Sequence, residues 1–124
     1  PSDDLSRYRM VIVPSLYLLD DPLPGYQGRL VVTYLTGLAD RNCRVRWNLL
    51  RERLGIRIEE LRPLAEPVTL STGVTATRWS EVIHLEGAES LADYPDGSPA
   101  ITRYGDATYI STRLTDDALA RLLR

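Results

Sequence analysis

Near its start the chain carries short unbroken apolar runs; further on, apolar and polar positions alternate. Met10-Val11-Ile12-Val13 has no polar interruption, the pattern of a strand covered on both faces rather than one with a wet side. Pro14 has no N–H to give to a ladder, so pairing is expected to stop there. Residues 29–35 repeat the pattern, with Leu30, Val31 and Val32 continuous and Thr36-Gly37 marking the end. Fifteen residues, 15–29, separate Pro14 from Leu30, enough for a right-handed crossover between parallel neighbours. Two prolines and two glycines within residues 20–28 argue against a long helix in that connection. The expectation is a parallel sheet with residues 10–13 as its first central strand. In open sheets of this kind ligands sit at the carboxyl ends of the strands, here around Ser15 and Thr36.

Residues 38–45 read as an exposed loop leading to a helix. Asn48 is its N-cap candidate, Trp47, Leu50 and Leu54 share one face, and Gly55 stands where a C′ glycine belongs. Residues 56–61 alternate imperfectly, as a strand near an edge would. From Arg62 onward, short strands predicted at 68–70, 76–85, 90–94, 100–104 and 107–112 are separated by turn signals. Pro95-Asp96-Gly97 is one such turn, and Gly105-Asp106 is a two-residue hairpin that pairs the last two strands antiparallel. Thr115 caps a terminal helix with Asp116 and Asp117 in its positive first turn, Leu119, Leu122 and Leu123 on its apolar face, and Arg121 and Arg124 at its end. The fold class read from this order is α/β, with a mainly parallel sheet and an antiparallel hairpin near the C-terminus.

Composition narrows the function without choosing one. A chain of 124 residues fits one domain spanning residues 1–124. No apolar run approaches the ~18 residues that cross a bilayer, and residues 10–13 are too short for a signal-peptide core, so the expected location is cytoplasmic and no membrane partner is expected. The chain enters its first strand without a start methionine, which suggests a segment of something longer. Fifteen basic residues, all Arg, stand against 17 acidic ones. A net charge of −2 gives no reason to expect nucleic acid. One cysteine excludes an internal disulfide, and Cys43 with the single His84 cannot make a four-ligand structural zinc site.

Candidate chemistry is thin. Cys43 would need small neighbours to sit at a nucleophile elbow, and it has Asn42 and Arg44. His84 lies between apolar residues in a strand, where a structural role is expected. Glu59-Glu60 and Asp20-Asp21 are adjacent pairs whose side chains diverge, so neither pair flanks a single bond. No glycine-rich loop follows either early strand, so no dinucleotide site is expected. Nine aromatics, seven Tyr and two Trp, do not interleave with arginine as a single-strand groove requires. No catalytic, cofactor or metal residue is assigned. What remains is surface for association: Tyr17, Thr36, Gly37, Arg46 and Trp47 are the candidate interface residues, with Trp79 a second bulky residue open to either role.

The ordered segments Tyr-Arg-Met-Val-Ile-Val-Pro-Ser-Leu-Tyr-Leu-Leu (8–19), Leu-Val-Val-Thr-Tyr-Leu-Thr-Gly-Leu-Ala-Asp (30–40) and Leu-Arg-Glu-Arg-Leu-Gly-Ile-Arg-Ile-Glu-Glu (50–60) resemble the middle domain of glycoside hydrolase family 42 β-galactosidases. Residues 75–89 and the Asp-Gly and Pro-Ala-Ile-Thr-Arg-Tyr-Gly segments of 96–105 follow in the same order. The resemblance implies a three-layer, flavodoxin-like domain related to class I glutamine amidotransferases. It also implies a role in trimer formation, with no cofactor. In such enzymes the catalytic glutamates belong to a preceding (β/α)8 barrel, so none transfers to this chain; the parent would hydrolyse terminal β-D-galactosides as a homotrimer. The departures are loops: residues 20–28, the passage from Arg46 to Trp47, and the stretch between Gly97 and Pro99 are all shorter than the family pattern. The alternative reading is an amidotransferase-like enzyme, or a small-ligand or carbohydrate-binding domain, using the strand ends, with Trp47 as the one aromatic platform.

Overall fold

A computed structural model describes residues 5–15, 26–36, 42, 44 and 50–123. The early apolar runs form β1 (Met10–Val13) and β2 (Arg29–Thr33). They pair in parallel, with Val11 opposite Leu30 and Val13 opposite Val32, and the ladder stops at Pro14. Helix α1 (Arg51–Leu54) is one turn, ended by Gly55 at φ +62° with its N–H on the Arg51 carbonyl at 2.9 Å. That is the glycine stop the sequence predicts. Its N-cap is Leu50, without a side-chain cap hydrogen bond; Trp47 and Asn48 lie outside the described residues.

The remaining elements are β3 (Ile56–Pro63), β4 (Val68–Thr69), β5 (Thr75–Thr77), β6 (Trp79–Leu85), β7 (Glu89–Asp93), β8 (Pro99–Tyr104), β9 (Ala107–Ile110), β10 (Arg113–Leu114) and α2 (Asp116–Leu123). A five-stranded sheet runs β1-β2-β9-β8-β7. β2 pairs with β9 in parallel, while β9–β8 and β8–β7 are antiparallel. The β8–β9 hairpin turns at Gly105-Asp106 as predicted, with Tyr104 opposite Ala107. β3 and β6 form an antiparallel ribbon, and β10-β5-β4 form a small third sheet.

The centre of the five-stranded sheet, β2 and β9, is buried on both faces. Strand alternation puts Leu30, Val32, Ala107 and Tyr109 on one face, packed with Leu54, Ile56 and Ile83 of α1 and the ribbon. Val31, Ile101 and Ile110 face the other way, against Leu70 and Ala76, with Leu119, Leu122 and Leu123 of α2 closing that side. The Thr115 hydroxyl accepts the Ala118 N–H at 3.3 Å, which caps α2 as expected. Arg29 donates to the Leu122 and Leu123 carbonyls at 2.9 and 3.2 Å, satisfying the far end of the helix.

These pairings correct three expectations. The mainly parallel, three-layer flavodoxin-like or class I glutamine amidotransferase-like α/β fold is not what forms. Among the described residues ten strands stand against two short helices, and strands rather than helices supply most of the cover on the sheet, giving a strand-dominated, sandwich-like domain. β1 is an edge strand, not a central one, and Ile12 is 41% exposed; the central position belongs to β9. Residues 76–85 are not one strand. Arg78 takes φ +67°, and the chain leaves one sheet as β5 and enters another as β6.

Candidate functional site

Among the described residues, polar side chains in two places bear on a possible site. The first is the carboxyl end of β1 and β2, where the sequence places a possible site. Ser15, at φ +45°, donates its N–H to the Thr33 hydroxyl at 2.6 Å, and the two hydroxyls lie 3.2 Å apart. The Thr36 hydroxyl donates to the Val13 carbonyl at 3.4 Å. These groups tie the ends of the two strands together.

The second place is internal. Glu81 of β6 is 3% exposed. Its carboxylate oxygen accepts the hydroxyl of Tyr109 on β9, and the backbone N–H of Leu35, in the turn after β2, also donates to it. Burial lifts the Glu81 carboxyl to about 7, against the pull of those two donors. Burial also pushes the Tyr109 hydroxyl well above the ordinary tyrosine value, so it stays a donor. Next to this pair the Tyr94 and Ser111 hydroxyls are 2.6 Å apart, and Ser111 donates to the Ala100 carbonyl at 2.7 Å, which makes Tyr94 the donor between them. A cleft of about 270 Å³ reaches Glu81 and Tyr94 from outside, with Arg62 and Ser80 on the ribbon side and Asp96 and Ser98 on the β7–β8 turn.

Neither place assembles a reaction centre. Among the described residues Glu81 has no second carboxylate beside it, and a glycosidic bond needs two. Among the described residues no three His, Cys, Asp or Glu side chains gather to hold a metal ion, and no helix is long and apolar enough to cross a membrane. His84 lies on the outer face of β6, its Nε2 2.5 Å from Glu59 Oε2, with both side chains about half exposed. That hydrogen bond, followed by the charge of His84, lowers the Glu59 carboxyl. Glu60 is engaged by Arg62 at 2.8 Å, also in solvent.

Of the candidate interface residues, the described part of the chain contains only Thr36, half-buried and donating to β1. Tyr17, Gly37, Arg46 and Trp47 lie outside the described residues, as does Cys43. Trp79 is half-buried and opens β6 opposite Pro63. The Glu81–Tyr109 pair was missed. Its signal is present in the alternation of β6, where Glu81 shares a parity with the buried Ile83 and so must face the core.

Residues 1–124 match the family model described as the β-galactosidase trimerisation domain. The chain is 37% identical over 147 residues to the β-galactosidase of Geobacillus kaustophilus, an alignment that takes in 99% of this chain and 22% of that protein. An alignment longer than the chain means that the relative carries extra residues within the span, in keeping with the short loops read from the sequence. Among solved structures, the β-galactosidase of the Antarctic haloarchaeon Halorubrum lacusprofundi superposes with a TM-score of 0.86 at 25% identity, over 98% of this chain and 22% of that one. A catalytic mutant of a family 42 β-galactosidase from G. stearothermophilus gives 0.84 at 28% identity, over 97% and 22%. The chain thus spans about a fifth of the length of the curated relatives it matches. With its whole length matched by the family model, its fold superposing on these enzymes and no reaction centre among its described residues, the chain belongs to the trimerisation-domain family of glycoside hydrolase family 42 β-galactosidases.

Proposed function

We propose that this chain is the association module of a β-galactosidase, holding the parent polypeptide in a homotrimer. The observation that carries the reading is the family match over residues 1–124. In this reading residues 1–124 are a single domain of a longer cytoplasmic enzyme. That enzyme hydrolyses terminal β-D-galactosides with carboxylates supplied by a preceding (β/α)8 barrel. The internal polar groups support it: Glu81, Tyr94 and Tyr109 are engaged in holding the fold, and the strand-end hydroxyls bind one another. The contact surface is assigned to the chain segments after β1 and β2 and before α1, with Tyr17, Thr36, Gly37, Arg46 and Trp47 as its residues. Trp and Arg are the side chains most enriched at energetic centres of interfaces.

Light scattering coupled to size exclusion on the full-length polypeptide tests the reading. The expected mass is three protomers, and the double substitution Arg46→Ala with Trp47→Ala is expected to shift the population toward smaller species. A wild-type monomer at high micromolar concentration overturns the proposal. A wild-type trimer that the double substitution leaves intact moves the interface elsewhere on the chain.

A further inference from the structure

We propose that Glu81 is a proton-operated latch between the β3–β6 ribbon and the five-stranded sheet, closed while its carboxyl is neutral and released as the proton leaves. The geometry makes it a tie between elements that are far apart in sequence. From β6 the carboxyl reaches the Tyr109 hydroxyl on β9 and the Leu35 N–H beyond β2. Opening the ribbon therefore breaks contacts to two strands of the central sheet at once.

The surroundings offer an ionised carboxylate little. Tyr109 faces it from β9, and its hydroxyl stays protonated. Tyr94, from the segment after β7, is protonated for the same reason, burial raising it too. Ser111 and Thr112, which follow β9, are buried and uncharged. Asp96, across the cleft, adds a negative charge. Arg62 of β3 is the one cation among the described residues lining the cleft, and its guanidinium is held by Glu60 at 2.8 Å. His84, three residues along β6, points to the opposite face. Among the described residues the carboxylate would have two neutral donors and no paired cation, which makes it costly to keep buried.

The sign follows from which state binds the proton. In an opened ribbon Glu81 is solvated and titrates near the ordinary value of 4.5; in the closed form it titrates at about 7. Between these values the closed form holds one more proton than the open form. Closure is therefore fully favoured below about 4.5 and is progressively lost as pH rises to about 7, beyond which the loss levels off. The opening constant should rise roughly tenfold per pH unit within that window.

Hydrogen exchange followed by mass spectrometry on the full-length polypeptide reads this directly. Once intrinsic exchange rates are corrected for, amides of residues 79–85 and 34–36 should open about tenfold more often per unit of pH up to neutrality and then plateau. Glu81→Gln should abolish that slope. Should Glu81→Gln fail to fold, Tyr109→Phe decides, since it keeps the carboxyl and should keep the slope while raising opening at every pH. A wild-type profile that is flat across the window overturns the latch, and so does a slope that persists unchanged in Glu81→Gln.

Discussion

β9 and β6 pack against each other, yet they are held in different ways. All four residues of β9 are buried, between a parallel neighbour on one side and an antiparallel one on the other. Among the described residues β6 has only β3 beside it in its sheet. It buries Glu81 and Ile83 on its inner face, while Ser80 and Val82 are half-buried and His84 is exposed on the other. The first strand is secured by apolar burial, which does not respond to pH. The second adds to the apolar burial of Ile83 the polar contacts of Glu81, and the contacts of its carboxyl do respond. Stability in this domain is thus not spread evenly: the sheet is the fixed part and the ribbon the adjustable one.

The largest expected effect tests the fixed part. Leu30 of β2 has no exposed surface and lies in the core shared by the sheet, α1 and the ribbon. Leu30→Ala should cost roughly 2–5 kcal/mol, because the sheet around it is paired on both sides and cannot collapse into the space. Chemical denaturation monitored by circular dichroism gives the number. A loss below about 1 kcal/mol would move the centre of stability away from the five-stranded sheet.

Next in size is the seat between α1 and the ribbon. Gly55 adopts φ +62°, and a Cβ there would lie 2.6 Å from Cγ of Tyr104. The Tyr104 ring is 44% exposed and can swing outward, so the close approach is relieved at the expense of its packing. Gly55→Ala should cost about 1–3 kcal/mol, combining left-handed backbone strain with the displaced ring. Tyr104→Ala in the same background should recover the steric part and leave the backbone part. If the double variant recovers nothing, the ring is not what Gly55 accommodates.

Much of this was written in the sequence, and the gaps have physical causes. β1, the stop at Pro14, the parallel pairing with β2, the Gly55 helix stop, the Gly105-Asp106 hairpin and the Thr115 cap are local signals, and each is where it was expected. What failed was non-local. A run of four apolar residues says that a strand has covered faces but not how many strands flank it, so β1 was placed at the centre although β9 is there. Covering a parallel pair with helices is the common solution, but this chain uses β3, β6 and the small sheet, whose alternation shows a wet side without showing what the dry side meets. Arg78 at φ +67° carries no residue signal, since a left-handed arginine looks like any other. Glu81 was overlooked because a charged residue in a strand is read by default as surface, whereas its parity with Ile83 places it inside.

Tyr109→Phe probes the polar tie with a smaller change. It removes the hydroxyl that serves Glu81 and leaves the ring in the core. The expected cost is roughly 1–2 kcal/mol, measured where the acid is still neutral, at about pH 5. Tyr94→Phe removes the hydroxyl that meets Ser111 and the Glu81 backbone N–H but leaves the Glu81 carboxyl and its Tyr109 and Leu35 donors in place, and so should lower stability without changing its dependence on pH. A Tyr94→Phe variant that loses the pH slope would place the Glu81 tie and the Tyr94 contact in one undivided network.

The smallest effect is expected where the hydrogen-bond geometry looks strongest. Arg51 grips Glu86 through two parallel bonds, Nε to Oε1 and Nη2 to Oε2, each at 2.5 Å, joining the start of α1 to the residue just past β6. The Arg51 hydrogen bond holds the Glu86 carboxyl below its ordinary value, so any stabilisation it provides is present above about 4.5 and lost as pH falls through the lowered value. That is the opposite sense to Glu81. Bidentate geometry favours the pair, but both side chains stand in solvent, at 49% and 33% exposure, where water and salt compete for the same charges. Exposure should win. A double-mutant cycle of Arg51→Ala and Glu86→Gln should show only a small coupling that disappears in high salt, with each single substitution lowering the melting temperature only slightly. A coupling that survives salt would mean that the ribbon is pinned to α1 from outside as well as to β9 from within, and the contrast between a fixed sheet and an adjustable ribbon would then hold only for the inner half of β6.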